Sequence, residues 1–193
     1  MAKINHLTLY FLVFLFLHSC SPANILATGG GSAMVIAEGE RSMGSVIDDA
    51  TIKVNIAAKF ISSEDNLFVD ISTTVLNGRV LLTGLVDNQE IRIDAVRKVW
   101  EVDGVIEVIN EIQIGNRATL KEYAQDIWIT TQVRSVAAKA VGLRVISYNF
   151  ETIQGKVYVA GITSRPKQLE DLLIAIKSIK GVKEIINYVI VKE

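Results

Sequence analysis

Asn77-Gly78-Arg79-Val80-Leu81-Leu82-Thr83-Gly84 is the stretch on which the fold turns. Asn-Gly is the dipeptide that most readily accepts positive φ at both central positions of a two-residue hairpin, so the chain is expected to reverse there. The apolar run after it reads as a strand, and the preceding Phe68 to Val75 as its partner. An offset of 77 residues brings Gln154-Gly155-Lys156-Val157-Tyr158-Val159-Ala160-Gly161 into the same register. Further landmarks align without a gap. Asp49 meets Asp126, Ile52 meets Ile129, Gly104-Val105 meets Gly181-Val182, and Ile109-Asn110 meets Ile186-Asn187. Two copies of one small unit follow, over 46–116 and 120–193.

Working outward, each copy reads helix, strand, strand, helix, strand. In the first, Ile52, Ile56 and Phe60 share a helical stripe over about 49–61. Val80 to Val86 is the second strand. Asp87 with Glu90 suggests a capping box for the next helix, which buries Ala95, Val99 and Val102 and stops at Gly104. Val105 to Ile114 closes the unit. In the second, Ile129, Val133, Val136 and Ala140 form the first stripe, and Val145 to Thr152 with Lys156 to Ile162 the hairpin. Ser164 is expected to cap a helix that has Pro166 in its first turn and turns Leu169, Leu172, Leu173 and Ile176 inward. Val182 to Val191 is the last strand. The expected fold class is α+β, with two helices on a three-stranded mixed sheet in each copy.

Half of the 193 residues are hydrophobic, 7% are aromatic and 21% charged, with a formal charge of −1. That composition excludes disorder, and the overall charge gives no sign of a nucleic-acid binder. Both histidines, His6 and His18, lie in the first twenty residues, and Cys20 is the only cysteine. Beyond residue 20 there is thus no Ser-His-Asp triad, Cys-His pair or conventional zinc set. Asp48-Asp49 and Glu64-Asp65 are carboxylate pairs, read as helix-capping and loop residues rather than acid–base or metal groups. No enzyme activity, metal, cofactor or small-molecule substrate is expected.

Lys3 precedes an apolar run from Leu7 to Leu17, too short to span a bilayer at about 20 residues but suited to the core of a signal peptide. The run ends Leu17-His18-Ser19-Cys20, which resembles a bacterial lipobox. The expectation is a signal peptide over 1–19, lipidation at Cys20, and a flexible tether over 20–45 that contains Gly29-Gly30-Gly31. The resemblance to bacterial lipoproteins implies that Ser21, rather than Asp, after the cysteine directs the protein to the outer membrane.

The pattern Gly-x-Val-x-x-x-Gly, a helix, then Gly-Val and a downstream Asn resembles the BON domain, and both copies carry it. The segment Asp126-Ile127-Trp128-Ile129-Thr130-Thr131-Gln132-Val133-Arg134-Ser135 is similar to the first helix of the second domain in dual-BON outer-membrane lipoproteins of the DolP type. The chain differs from that family after Ser135, where Val136-Ala137-Ala138-Lys139-Ala140-Val141 replaces bulkier leucines. The resemblance implies a non-enzymatic, lipid-anchored protein of the outer membrane that faces the periplasm. It implies that the second domain binds anionic phospholipid and that the protein supports outer-membrane integrity.

Charge and pattern speak to the same point. Residues 46–116 carry six basic and twelve acidic side chains, residues 120–193 eleven and seven. Anionic headgroups attract Lys and Arg by about 1 kcal/mol each within a Debye length, so the second copy is the one suited to such a surface. No acid occurs between Ile127 and Arg144. The expected lipid contact is Tyr123, Ile127, Trp128, Thr131, Arg134 and Lys139, with the indole at headgroup level. One alternative packs Trp128 into a seam between the copies. Another uses the same helix face for envelope protein partners, as a structural or oligomerisation module. Trp100 is expected to pack.

Overall fold

The computed structural model describes residues 42–63, 67–115 and 119–192. His6, His18, Cys20, Gly29-Gly30-Gly31 and Glu64-Asp65 lie outside them. The described residues form one compact unit. Its elements are α1 (Met43–Ile61), the short α2 (Leu67–Asp70), β1 (Ile71–Leu76), β2 (Arg79–Val86), α3 (Gln89–Trp100) and β3 (Glu107–Ile114). They are followed by α4 (Leu120–Val141), a 3-10 turn (Gly142–Ser147), β4 (Tyr148–Ile153), β5 (Lys156–Thr163), α5 (Pro166–Lys177) and β6 (Glu184–Val191).

Each copy has one mixed sheet. β1 runs antiparallel to β2 and β2 parallel to β3, and β4, β5 and β6 repeat the arrangement. The hairpins turn where the sequence places them, with positive φ at Asn77 and Gly78 and at Gln154 and Gly155. A Cβ on Gly78 would lie 2.8 Å from the Gly104 carbonyl oxygen, and one on Gly155 2.9 Å from that of Gly181. The paired glycines of the repeat are therefore places where two turns touch.

Helices cover one face of each sheet. Ile52, Ile56 and Phe60 of α1 meet Ala95 and Val99 of α3 over Val80 and Leu82 in the first core. Ile129, Val133 and Ala137 of α4 meet Leu172 and Ile176 of α5 over Val157 and Val159 in the second. The opposite faces of the two sheets turn toward each other. Leu76 and Leu81 pack with Ala160, flanked by Ile109 and Tyr188. Gln113 donates to the Tyr158 hydroxyl at 3.2 Å, and the Tyr188 hydroxyl donates to Glu111. Burial and Glu111 push the Tyr188 phenol up to about 12. β2 and β5 are thus covered on both sides, which is why they read as near-continuous apolar runs.

Several local expectations are corrected. α1 starts at Met43, not near 49, because Ser42 Oγ accepts from the Ser45 amide and caps it. Residues 68–70, read as strand, lie in the helical turn Leu67–Asp70, and the early part of the segment from Val145 is 3-10. The cap of α3 is Asn88, which accepts from the Ile91 amide, rather than Asp87. α5 begins after Arg165 with no side-chain cap, so Ser164 is not its cap. α3 ends at Trp100, and Gly104 lies in the following turn at φ +89°. The buried stripe of α4 runs Ile129, Val133, Ala137, Val141, a slight rotation from the expected Val136 and Ala140, which are only partly covered. Trp100 does not pack: it sits on the last turn of α3 and is 52% exposed.

Asp49 is not a helix cap either. It lies within α1, 5% exposed, and its carboxylate accepts from the amides of Asn77 and Gly78 at 2.7 and 2.8 Å. Asp126 in α4 accepts from Gln154 and Gly155 at 2.7 and 2.9 Å. In each copy one aspartate ties the first helix to the hairpin turn, which accounts for its place in the repeat.

Candidate functional site

The expected contact residues all lie on α4. Thr119 and Glu122 start this helix with a reciprocal capping box: Thr119 Oγ1 accepts from the Glu122 amide at 3.3 Å, and the Thr119 amide donates to Glu122 Oε2 at 2.8 Å. The hydrogen bonds from Thr119 hold the Glu122 carboxyl below its ordinary range. Opposite the buried stripe, Tyr123, Ile127 and Trp128 are 60, 51 and 47% exposed. No element among the described residues seals the indole inside a core, so the seam placement of Trp128 is overturned.

The six residues fall into two rows, because successive helical residues are about 100° apart. Tyr123, Ile127, Thr131 and Arg134 form one row and line a groove of about 470 Å³. Its other wall comes from the first copy and includes Val69 and Leu85. Trp128 and Lys139 belong to the second row, outside the groove. Thr131 turns its hydroxyl back to the Ile127 carbonyl at 2.8 Å, so that hydrogen-bonds within the helix.

The groove is mixed in charge. Asp70, Asp126 and Glu151 line it along with Arg134. Burial pushes the Glu151 carboxyl up, while the charge of Arg134 and a hydrogen bond from Ser72 act the other way and Asp126 adds to the rise. The second row is different. Lys121 lies two turns before Trp128, and Lys139 three turns after, on the same flank. The arrangement is an exposed indole on a basic helix flank, beside a row of apolar and hydroxyl side chains at the junction of the copies.

Sequence reasoning missed Lys121, whose seven-residue spacing from Trp128 was the available signal, and Val69, Glu151 and Lys53 near the junction, for which no local signal exists. Among the described residues, no three His, Cys, Asp or Glu side chains gather in a way that could hold a metal ion. Nor is any described helix long and apolar enough to cross a membrane.

Fold and face together define a duplicated αββαβ protein whose second copy exposes an aromatic, basic helix. The BON domain family matches residues 48–116 and 125–193, and the chain belongs to that family. It is 37% identical over 147 residues to an uncharacterized protein in the gshII 5′ region of Anaplasma centrale, covering 76% of this chain and 96% of that one. It is 31% identical over 180 residues to the outer membrane lipoprotein DolP of Haemophilus influenzae, covering 90% and 89%. A solved C-terminal domain of CdsD, a structural protein of the type III secretion system of Chlamydia trachomatis, is 10% identical at a TM-score of 0.34, covering 72% of this chain and 96% of that one.

Proposed function

We propose that this protein is a non-enzymatic, lipid-anchored component of the outer membrane, facing the periplasm, that supports envelope integrity by binding anionic phospholipid through its second BON domain. The outer face of α4 carries the reading: Trp128 stands half exposed between Lys121 and Lys139, and Ile127 to Arg144 contains no acid. An indole prefers the headgroup region, and lysines flanking it add electrostatic attraction to anionic lipid. Trp128, Lys139 and Lys121 form the outward contact, while Tyr123, Ile127, Thr131 and Arg134 extend it toward the groove. Relatedness to a named outer membrane lipoprotein over 90% of this chain supports the location, and acylation of Cys20 supplies the anchor.

The test is vesicle binding. In a Trp100→Phe background Trp128 is the remaining indole. Its emission is expected to shift to the blue with phosphatidylglycerol vesicles and not with phosphatidylcholine, and Trp128→Glu is expected to abolish sedimentation with the former while the fold survives. Equal binding by Trp128→Glu and the parent removes this helix from the contact.

A further inference from the structure

A second cavity lies beside the groove. It is a cleft of about 300 Å³ between the edge strands β1 and β4, each of which pairs on one side only. Its lining is polar for most of its length: Ser72 and Thr73 come from β1, Asn149 and Glu151 from β4. Lys53 reaches it from α1 and Arg134 from α4. Among the described residues neither cation makes a direct ion pair, although the charge of Arg134 acts on the Glu151 carboxyl. The cleft therefore brings one cation from each copy to a polar trough in which, among the described residues, Glu151 is the only carboxyl.

We propose that this cleft is an oxyanion site shared by the two copies, in which Lys53 and Arg134 bracket one phosphate group. Lysine and arginine bind phosphate through charge-assisted hydrogen bonds, the arginine fork engaging two oxygens at once. The Thr73 hydroxyl and the Asn149 amide supply neutral donors on either wall. The neighbouring groove is unsuited to the same group, since Asp70, Asp126 and Glu151 line it against the single Arg134. Glu151 borders both cavities, and its burial favours the neutral form, which lowers the repulsion an entering anion meets. The same chemistry takes a free phosphate or the phosphate of a lipid headgroup. It shares Arg134 with the membrane contact but is separable from it, because it also needs Lys53 in the acidic first copy and does not involve Trp128.

Amide shifts of isotope-labelled protein test it. Inorganic phosphate, titrated at constant ionic strength against chloride, is expected to shift residues 72–74 and 149–151 saturably. Lys53→Gln and Arg134→Gln are each expected to weaken that titration about tenfold, while Trp128→Glu leaves it unchanged. Shifts at these residues with phosphatidylglycerol vesicles but not with phosphate assign the group to lipid. A response to phosphate alone assigns it to the free ion. Absence of both responses, or a Lys53→Gln variant that titrates like the parent, overturns the site. Vesicle binding that survives such a result leaves the α4 contact standing without the cleft.

Discussion

Removing the carboxylate of Asp49 is the most direct challenge to the account of the repeat. Its two oxygens accept from the Asn77 and Gly78 amides at 2.7 and 2.8 Å in a nearly sealed position. A hydrogen bond to a charged group contributes about 1.5–3 kcal/mol, and a buried donor left unpaired costs about 1–3 kcal/mol. Asp49→Ala loses both bonds and strands two amides, although the turn can relax toward water. The expected loss is therefore about 3–5 kcal/mol in urea unfolding. Asp49→Asn keeps an oxygen for one amide and is expected to lose about half as much. Asp48→Ala, one residue earlier and exposed, is the control and is expected within about 0.5 kcal/mol of the parent. Hydrogen exchange at Asn77 and Gly78 is expected to accelerate in Asp49→Ala before that of the β2 core. A loss below about 1 kcal/mol, or equal effects at Asp48 and Asp49, refutes the clamp.

Gly84→Ala is expected to destabilise strongly, because a Cβ there would lie 2.2 Å from the Asp70 carbonyl oxygen at φ +151°. Gly115→Ala meets only the tip of Leu85 at 3.3 Å and is expected to shift the melting temperature far less. Leu81→Ala opens the seam between the sheets and is expected to cost about 2–4 kcal/mol and to move the amides of Ala160 and Tyr188 across it. A shift pattern confined to the first copy would contradict that packing. The Glu151 carboxyl is raised by burial, so the folded state holds its proton more tightly than the unfolded chain does. Its contribution is fully favourable below the unfolded carboxylate pKa and is lost as pH rises through the higher folded value. The stability of Glu151→Gln relative to the parent is therefore expected to improve from acid to neutral pH, and denaturation curves at several pH values in that window check the sign.

The hairpins, the offset of 77 and the inward stripes of α1 and α5 were legible because they rest on local rules. Asn77-Gly78 needs positive φ, helices bury every third or fourth residue, and a duplicated unit repeats its constraints. The helix starts were less legible. Asn88 and the uncapped Arg165 each stand next to another plausible cap, Asp87 and Ser164, while Ser42 lies seven residues before the expected start near 49, and each choice depends on how the helix meets its sheet. Trp100 was misread since an aromatic near a helix end looks the same in sequence whether or not a neighbour covers it.

By itself the sequence determined that this chain is a doubled α+β unit, that its basic copy comes second, and that Trp128 shares a helix with Arg134 and Lys139. Only the tertiary structure decided that Asp49 and Asp126 fasten helix to turn, that the contact residues divide into a groove row and an outer row, and that Lys53 and Arg134 line one cleft. Those facts require segments far apart in the chain to face one another. Periodicity constrains the direction of a side chain relative to its own helix or strand, but not what the packing of two sheets places opposite it.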